Sequence, residues 1–118
     1  MVGSLPQAVS EYIEASNAFD GERLIRAFAA DALVNDARRE LRGVEAIRRW
    51  SDEEIIGDRV TMEIWSVDEH YGDVIVNGLM DGDYDKTNLP DEVVLTHYFT
   101  VRDEKIVRLI IIRNRPVE

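Results

Sequence analysis

The hydrophobic period of this chain changes once, at Arg59, and that change decides what the chain can fold into. Upstream, apolar residues recur at three- and four-residue spacing, and downstream they alternate or run on in segments too short for helices. Leu5, Val9, Tyr12, Ile13 and Ser16 share one helical face, and Ser4 ahead of Leu5-Pro6 offers a hydroxyl to cap the first turn. Tyr12 therefore points inward with Val9 and Ile13. Asp20-Gly21 ends this helix, and Asp20 caps a second one that runs through Phe28 with Leu24, Ile25 and Phe28 inward. A short extended piece follows at 32–36, and Gly43 opens a third helix whose inner face carries Val44, Ile47 and Trp50.

Beyond Arg59, segments 60–67 and 73–80 read as strands joined by a turn at 68–72, and segments 92–102 and 106–113 as a hairpin around Asp103-Glu104-Lys105. Three helices ahead of a run of strands favour an α+β domain over an alternating parallel α/β sheet. The 118 residues suit a single domain, 1–118, and 45% apolar residues suffice to fill a core. With 14 basic against 24 acidic side chains the net charge is −10, which repels phosphate backbones and anionic membrane surfaces. Neither nucleic acid nor a membrane is expected as a partner. The absence of Cys removes disulfides, thiolate nucleophiles and iron–sulfur ligation, and it fits a reducing compartment. The first 22 residues hold no Lys, no Arg and no long apolar run, so a cytoplasmic protein without a secretory signal is expected.

The last strand adds an expectation about assembly. Ile106, Val107, Leu109, Ile110, Ile111 and Ile112 place apolar side chains on both faces, whereas helices can cover only one. A second copy on the other face would make a homodimer.

Chemistry-bearing residues are few. In segment 92–102, Leu95, His97, Phe99 and Val101 point one way, which puts His97 on the apolar face. Asp36 ends the short strand at the mouth of the core, where a carboxylate either caps a turn or works as an acid or base. Arg38, Arg39 and Arg42 read as partners in surface ion pairs. Trp50, Met62, Trp65, Met80 and Phe99 fill the core or, if the sheet curves around an opening, become the wall of a pocket for an apolar ligand. Alternation leaves the face of Asn77 open. Acidic positions in 81–92 imitate a calcium loop, but Lys86 stands at its turn glycine, Asn88 at its aliphatic position, and Pro90 interrupts it, so no metal is expected. Nor does any cofactor-binding fingerprint occur.

Four stretches together resemble the SnoaL-like branch of the nuclear transport factor 2-like superfamily: residues 11–20 around Tyr12 and Asn17, 28–36 ending in Asp36, Gly43 to Trp50, and 99–106 around Asp103 and Lys105. The resemblance implies a cone-shaped roll, with three N-terminal helices packed on a strongly curved, mostly antiparallel sheet, a pocket at the open end, and dimerisation through the outer face. Ketosteroid isomerases of that superfamily bring a helix Tyr, an Asp after the first short strand and a late-strand Asp into one apolar cavity. Tyr12 and Asp36 fall on the first two positions, and His97 falls on the third. His97 in place of the acid, Ala37 where Pro is common and Glu104 for the usual turn glycine are departures.

The resemblance implies proton abstraction next to a carbonyl of a steroid- or polyketide-like substrate, without a cofactor. Asp36 would be the general base, and Tyr12 and His97 would donate to the enolate oxygen. An acid-side loss of rate in the ordinary histidine range would follow from protonation of His97. A non-catalytic binding or assembly module with the three residues as a buried network, and a polyketide cyclase or dehydratase using the same base, are the other readings.

Overall fold

The computed structural model describes residues 5–87 and 89–113. The cap expected at Ser4 and the position of Asn88 lie outside them. Helices α1 (Gln7–Asn17) and α2 (Gly21–Arg26) precede strands β1 (Phe28–Asp36) and β2 (Arg39–Arg42), helix α3 (Val44–Trp50) and a π-helical turn (Ser51–Ile56). Strands β3 (Thr61–His70), β4 (Asp73–Asp81), β5 (Val93–Arg102) and β6 (Lys105–Arg113) complete one six-stranded sheet in the order β2-β1-β6-β5-β4-β3. Among the described strands only β1 and β6 run parallel, and the sheet is curved and unclosed, the α+β cone expected. No helix among the described residues is long and apolar enough to cross a membrane.

Helix α1 lies in the concavity because its inner face, Ala8, Val9, Tyr12, Ile13, Ala15 and Ser16, is buried. Its last turn is tied to β3 by polar groups: Ser16 Oγ donates to the Val60 carbonyl at 3.2 Å, and Asn17 both donates to the Met62 carbonyl (3.1 Å) and accepts from the Met62 amide (2.7 Å). The side-chain amide of Asn17 thus substitutes for a neighbouring strand, and β3 starts where α1 ends. Asp20 caps α2 by accepting from the Arg23 amide at 3.1 Å, as its position predicts.

Three boundaries differ from the sequence reading. Helix α2 stops at Arg26, and Phe28 opens β1 instead of closing the helix, because Phe28 pairs with Ile106 of β6; its side chain is buried either way. The short extended piece is the distal half of that longer strand. Strand β2 has no counterpart in the sequence pattern: Arg39, expected as an ion-pair partner, folds back on β1 through a two-residue turn at Ala37-Arg38, both at positive φ (52° and 73°). The turns Tyr71-Gly72 and Asp103-Glu104 are likewise left-handed at both residues, so three hairpins share the geometry that matches strand twist. Only one of these six residues, Gly72, is glycine, and the turn at Ala37-Arg38 has none, which hides its hairpin in the sequence.

Candidate functional site

Register brings the site together. Asp36 at the end of β1 pairs with Ile111 of β6, Ile111 with His97 of β5, and His97 with Val76 of β4. One cross-strand row on the inner face therefore carries Asp36 and His97 with Ile111 between them, two strand spacings or ~10 Å apart at Cα. At that distance the carboxylate and imidazole flank a gap. Tyr12 reaches the same region from α1, held edge-to-face by Phe28 (centroids 5.7 Å) and Phe99 (5.5 Å). Tyr12, Asp36, Trp50, Met62, Met80 and His97 all line one cavity of about 220 Å³, whose remaining wall is mainly Ile55, Val60, Tyr84, Val93, Leu95 and Ile111.

Two of the expected wall residues lie elsewhere. Trp65 is 47% exposed, because β3 bulges between Ile64 and Ser66 and the extra residue, Trp65, has no partner on β4. Strict alternation cannot see such an insertion. Phe99 is fully buried but sits behind the cavity, stacked on His97 at 6.0 Å, where it fixes the imidazole plane and the phenol. Asn77 belongs to the outer face, donating to Ser66 Oγ (2.9 Å) and accepting from Thr96 Oγ1 (2.6 Å). In the acidic loop, Asp81 binds Lys86 and the Gly82 amide, and Asp85 accepts from the Thr87 amide.

Asp36 is held asymmetrically. The Trp50 indole donates to Oδ2 at 2.9 Å, and Arg39 donates to the same oxygen at 3.2 Å. Oδ1 takes no hydrogen bond among the described residues, so it is the oxygen free to receive a proton. Arg39 also binds Glu54 of the π-helical turn (2.6 and 2.9 Å), which ties β1, β2 and that turn together at the cavity mouth. The sequence reading named Trp50 as wall and missed its donor role. The available signal was that a buried indole N–H requires an acceptor.

The facing groups are neutral, and neither makes a well-formed side-chain hydrogen bond among the described residues. Burial pushes the His97 imidazole down to about 4, against a smaller upward pull from the Val76 and Leu95 main chain and from the Asp36 charge. Its Nδ1 is buried with no hydrogen-bond partner. Burial, and secondarily the Asp36 charge, pushes the Tyr12 phenol far above its ordinary value, so it stays a donor. Tyr12 makes no hydrogen bond among the described residues. Together the site offers Asp36 with a free oxygen, the Tyr12 phenol and the neutral His97 imidazole, on a wall that also carries Ser16, Glu54, Asp58 and Tyr84 among its apolar side chains.

The comparisons bear on what such a cavity belongs to. The SnoaL-like domain family model matches residues 9–109. A structure designated a polyketide cyclase, from Sinorhizobium meliloti, is 30% identical, with a TM-score of 0.81 over 92% of this chain and 95% of that one. One designated a ketosteroid isomerase, from Kribbella flavida, shares the fold at 12% identity, TM-score 0.77, covering 96% of this chain and 79% of its own. A computationally designed 17-OHP binder shares it at 17% identity, TM-score 0.76, over 92% and 88% of the two chains. No curated protein matches the sequence. The chain belongs to the SnoaL-like domain family.

Proposed function

We propose that this protein binds an apolar carbonyl compound and moves a proton next to the carbonyl, with Asp36 as general base and Tyr12 and His97 as donors to the enolate oxygen. The observation that carries the reading is hydrogen-bond economy. Buried polar side chains are normally satisfied within the protein, yet His97 Nδ1 is buried with no hydrogen-bond partner, the Tyr12 hydroxyl makes no hydrogen bond among the described residues, and both residues line the cavity with Asp36. A buried structural network would join these three residues to one another, and they are not joined. Asp36 Oδ1 takes the proton and returns it elsewhere on the substrate, while the phenol and the N–H of neutral His97 stabilise the oxyanion. The reaction needs no cofactor.

The polyketide cyclase designation of the 30% identical relative supports a second chemistry at the same site, in which the carbanion made by Asp36 attacks a second carbonyl of the same substrate. The first step is common to both. Its test is exchange of the proton next to the carbonyl of a cyclic enone into heavy water, followed by NMR. Catalysed exchange that disappears in Asp36→Asn, with the fold unchanged, is the expected result; equal exchange in both proteins removes Asp36 as base.

We also propose a cytoplasmic homodimer joined through the outer face. The row Ile75, Tyr98, Ile110, set by register, is half-buried and unroofed, and Trp65 and Ile112 beside it are 47% and 48% exposed. Light scattering at micromolar concentration should report twice the chain mass, and a monomer at every concentration would overturn the dimer.

A further inference from the structure

A second hollow adjoins the cavity. It has a volume of about 600 Å³ and opens between the start of β3, the end of β4 and the loop before β5. Met62, Met80, Tyr84 and Val93 line both spaces, so they form the wall between them. The inner chamber, at about 220 Å³, is below the roughly 300–1,000 Å³ of ordinary small-molecule sites. Alone it takes a one-ring head and not an extended ligand.

The wall has one rigid and one movable part at Met62. The Met62 backbone is fixed on both sides by Asn17, so its main chain cannot shift without breaking two hydrogen bonds to α1. Its side chain lies across Gly78 of β4: a Cβ at Gly78 would overlap Met62 Cγ and stand 2.8 Å from Sδ, whereas its next neighbour, the Glu63 carbonyl, is at 3.6 Å. Gly78 is therefore a seat for the thioether, and a flexible, unbranched side chain on that seat can swing without moving the strand. Met80 and Tyr84 complete the wall, the phenol hydroxyl reaching the Met80 carbonyl at a long 3.4 Å.

We propose that Met62, seated on Gly78, sets ligand length: the carbonyl head occupies the inner chamber, and an extended substrate passes its tail between Met62 and Tyr84 into the outer hollow. This rests on the ligand-pocket reading above and narrows it to elongated carbonyl compounds. Among the described residues, Glu63, Asp81, Asp91 and Glu92 line the outer hollow against one cation, Lys86, so a carboxylate or phosphate on the tail is disfavoured.

The test uses two probes, cyclohexenone and its phenyl-extended derivative 4-phenylcyclohexenone, whose dissociation constants are measured by NMR titration. Met62→Ala should tighten the extended probe about tenfold relative to cyclohexenone, and Met62→Val, which keeps strand propensity, should shift the ratio the same way. Gly78→Ala should weaken the extended probe about tenfold by unseating the thioether, yet change it less than about twofold in a Met62→Ala background, where the new Cβ meets only ordinary contacts. An unchanged probe ratio in both Met62 variants, or an equal Gly78→Ala effect in both backgrounds, overturns the length-setting role and leaves the pocket reading intact. Failure of every variant to bind either probe overturns the pocket reading, and this inference with it.

Discussion

The two faces of strand β5 handle polar side chains in opposite ways. On the outer face, Thr96 donates to Asn77 and Asn77 to Ser66, while Thr100 donates to Asp73 and accepts from Arg108. On the inner face, one residue along from Thr96, His97 has a buried nitrogen with no partner, and Tyr12 above it has an unbonded hydroxyl. The outer groups are more accessible to water yet are joined to each other, whereas the inner groups, where an unmet bond costs more, are left open. Polar groups that complete each other serve the fold, and the inner-face groups without a partner are what the proposed ligand reading rests on.

The comparison breaks most sharply at Asp36. Asp36→Asn keeps an oxygen for the Trp50 indole but cannot accept a proton, so turnover of an enolisable ketone should fall by about 10²–10⁴ while the melting temperature barely changes. Next come the two donors: Tyr12→Phe and His97→Leu should each lower the rate about 10²-fold. Neither should lower stability by the amount a lost bond implies, because no protein partner is orphaned. Outer-face substitution should do the reverse. Asn77→Ala leaves Thr96 and Ser66 without that partner and should cost ~1 kcal/mol in denaturant unfolding with the rate unchanged.

The pH dependence sharpens the contrast further. His97 titrates near 4 in the folded protein against 6.5 for an ordinary imidazole, so its protonation favours the unfolded chain. The stability from keeping it neutral is complete above about 6.5 and is lost as pH falls from there through about 4. Urea unfolding of the parent should show this decline, and His97→Leu should flatten it. The acid-side fall in rate therefore belongs below the ordinary histidine range, contrary to what the sequence alone led us to expect. The smallest effect belongs to Arg39→Gln, since its bonds to Asp36 and Glu54 come from a half-exposed guanidinium; unfolding should shift by less than ~1 kcal/mol.

Much of this is legible in the sequence. The inward placement of Tyr12 followed from helical spacing, that of His97 from alternation, and the capping of α2 from Asp20. What stayed hidden was hidden for physical reasons. Alternation has no term for an inserted residue, so the bulge at Trp65 turned an expected wall residue outward. Left-handed turns without glycine at Ala37-Arg38 gave no signal for β2, and with β2 unseen Arg39 could not be placed against both Asp36 and Glu54. Asp36 and His97 lie 61 positions apart in sequence, and only the pairing of both with Ile111 aligns them.

Nitrogen-15 NMR of the His97 imidazole, in protein titrated with cyclohexenone at neutral pH, decides whether the inner-face donors serve a ligand. The account predicts a neutral ring with an unbonded nitrogen in the free protein, and a shift of its N–H nitrogen, saturating with ligand, that persists in Asp36→Asn and is absent in a ligand-free pH control. An imidazole already hydrogen-bonded at both nitrogens, or nitrogen shifts that stay fixed at ligand saturation, would contradict it.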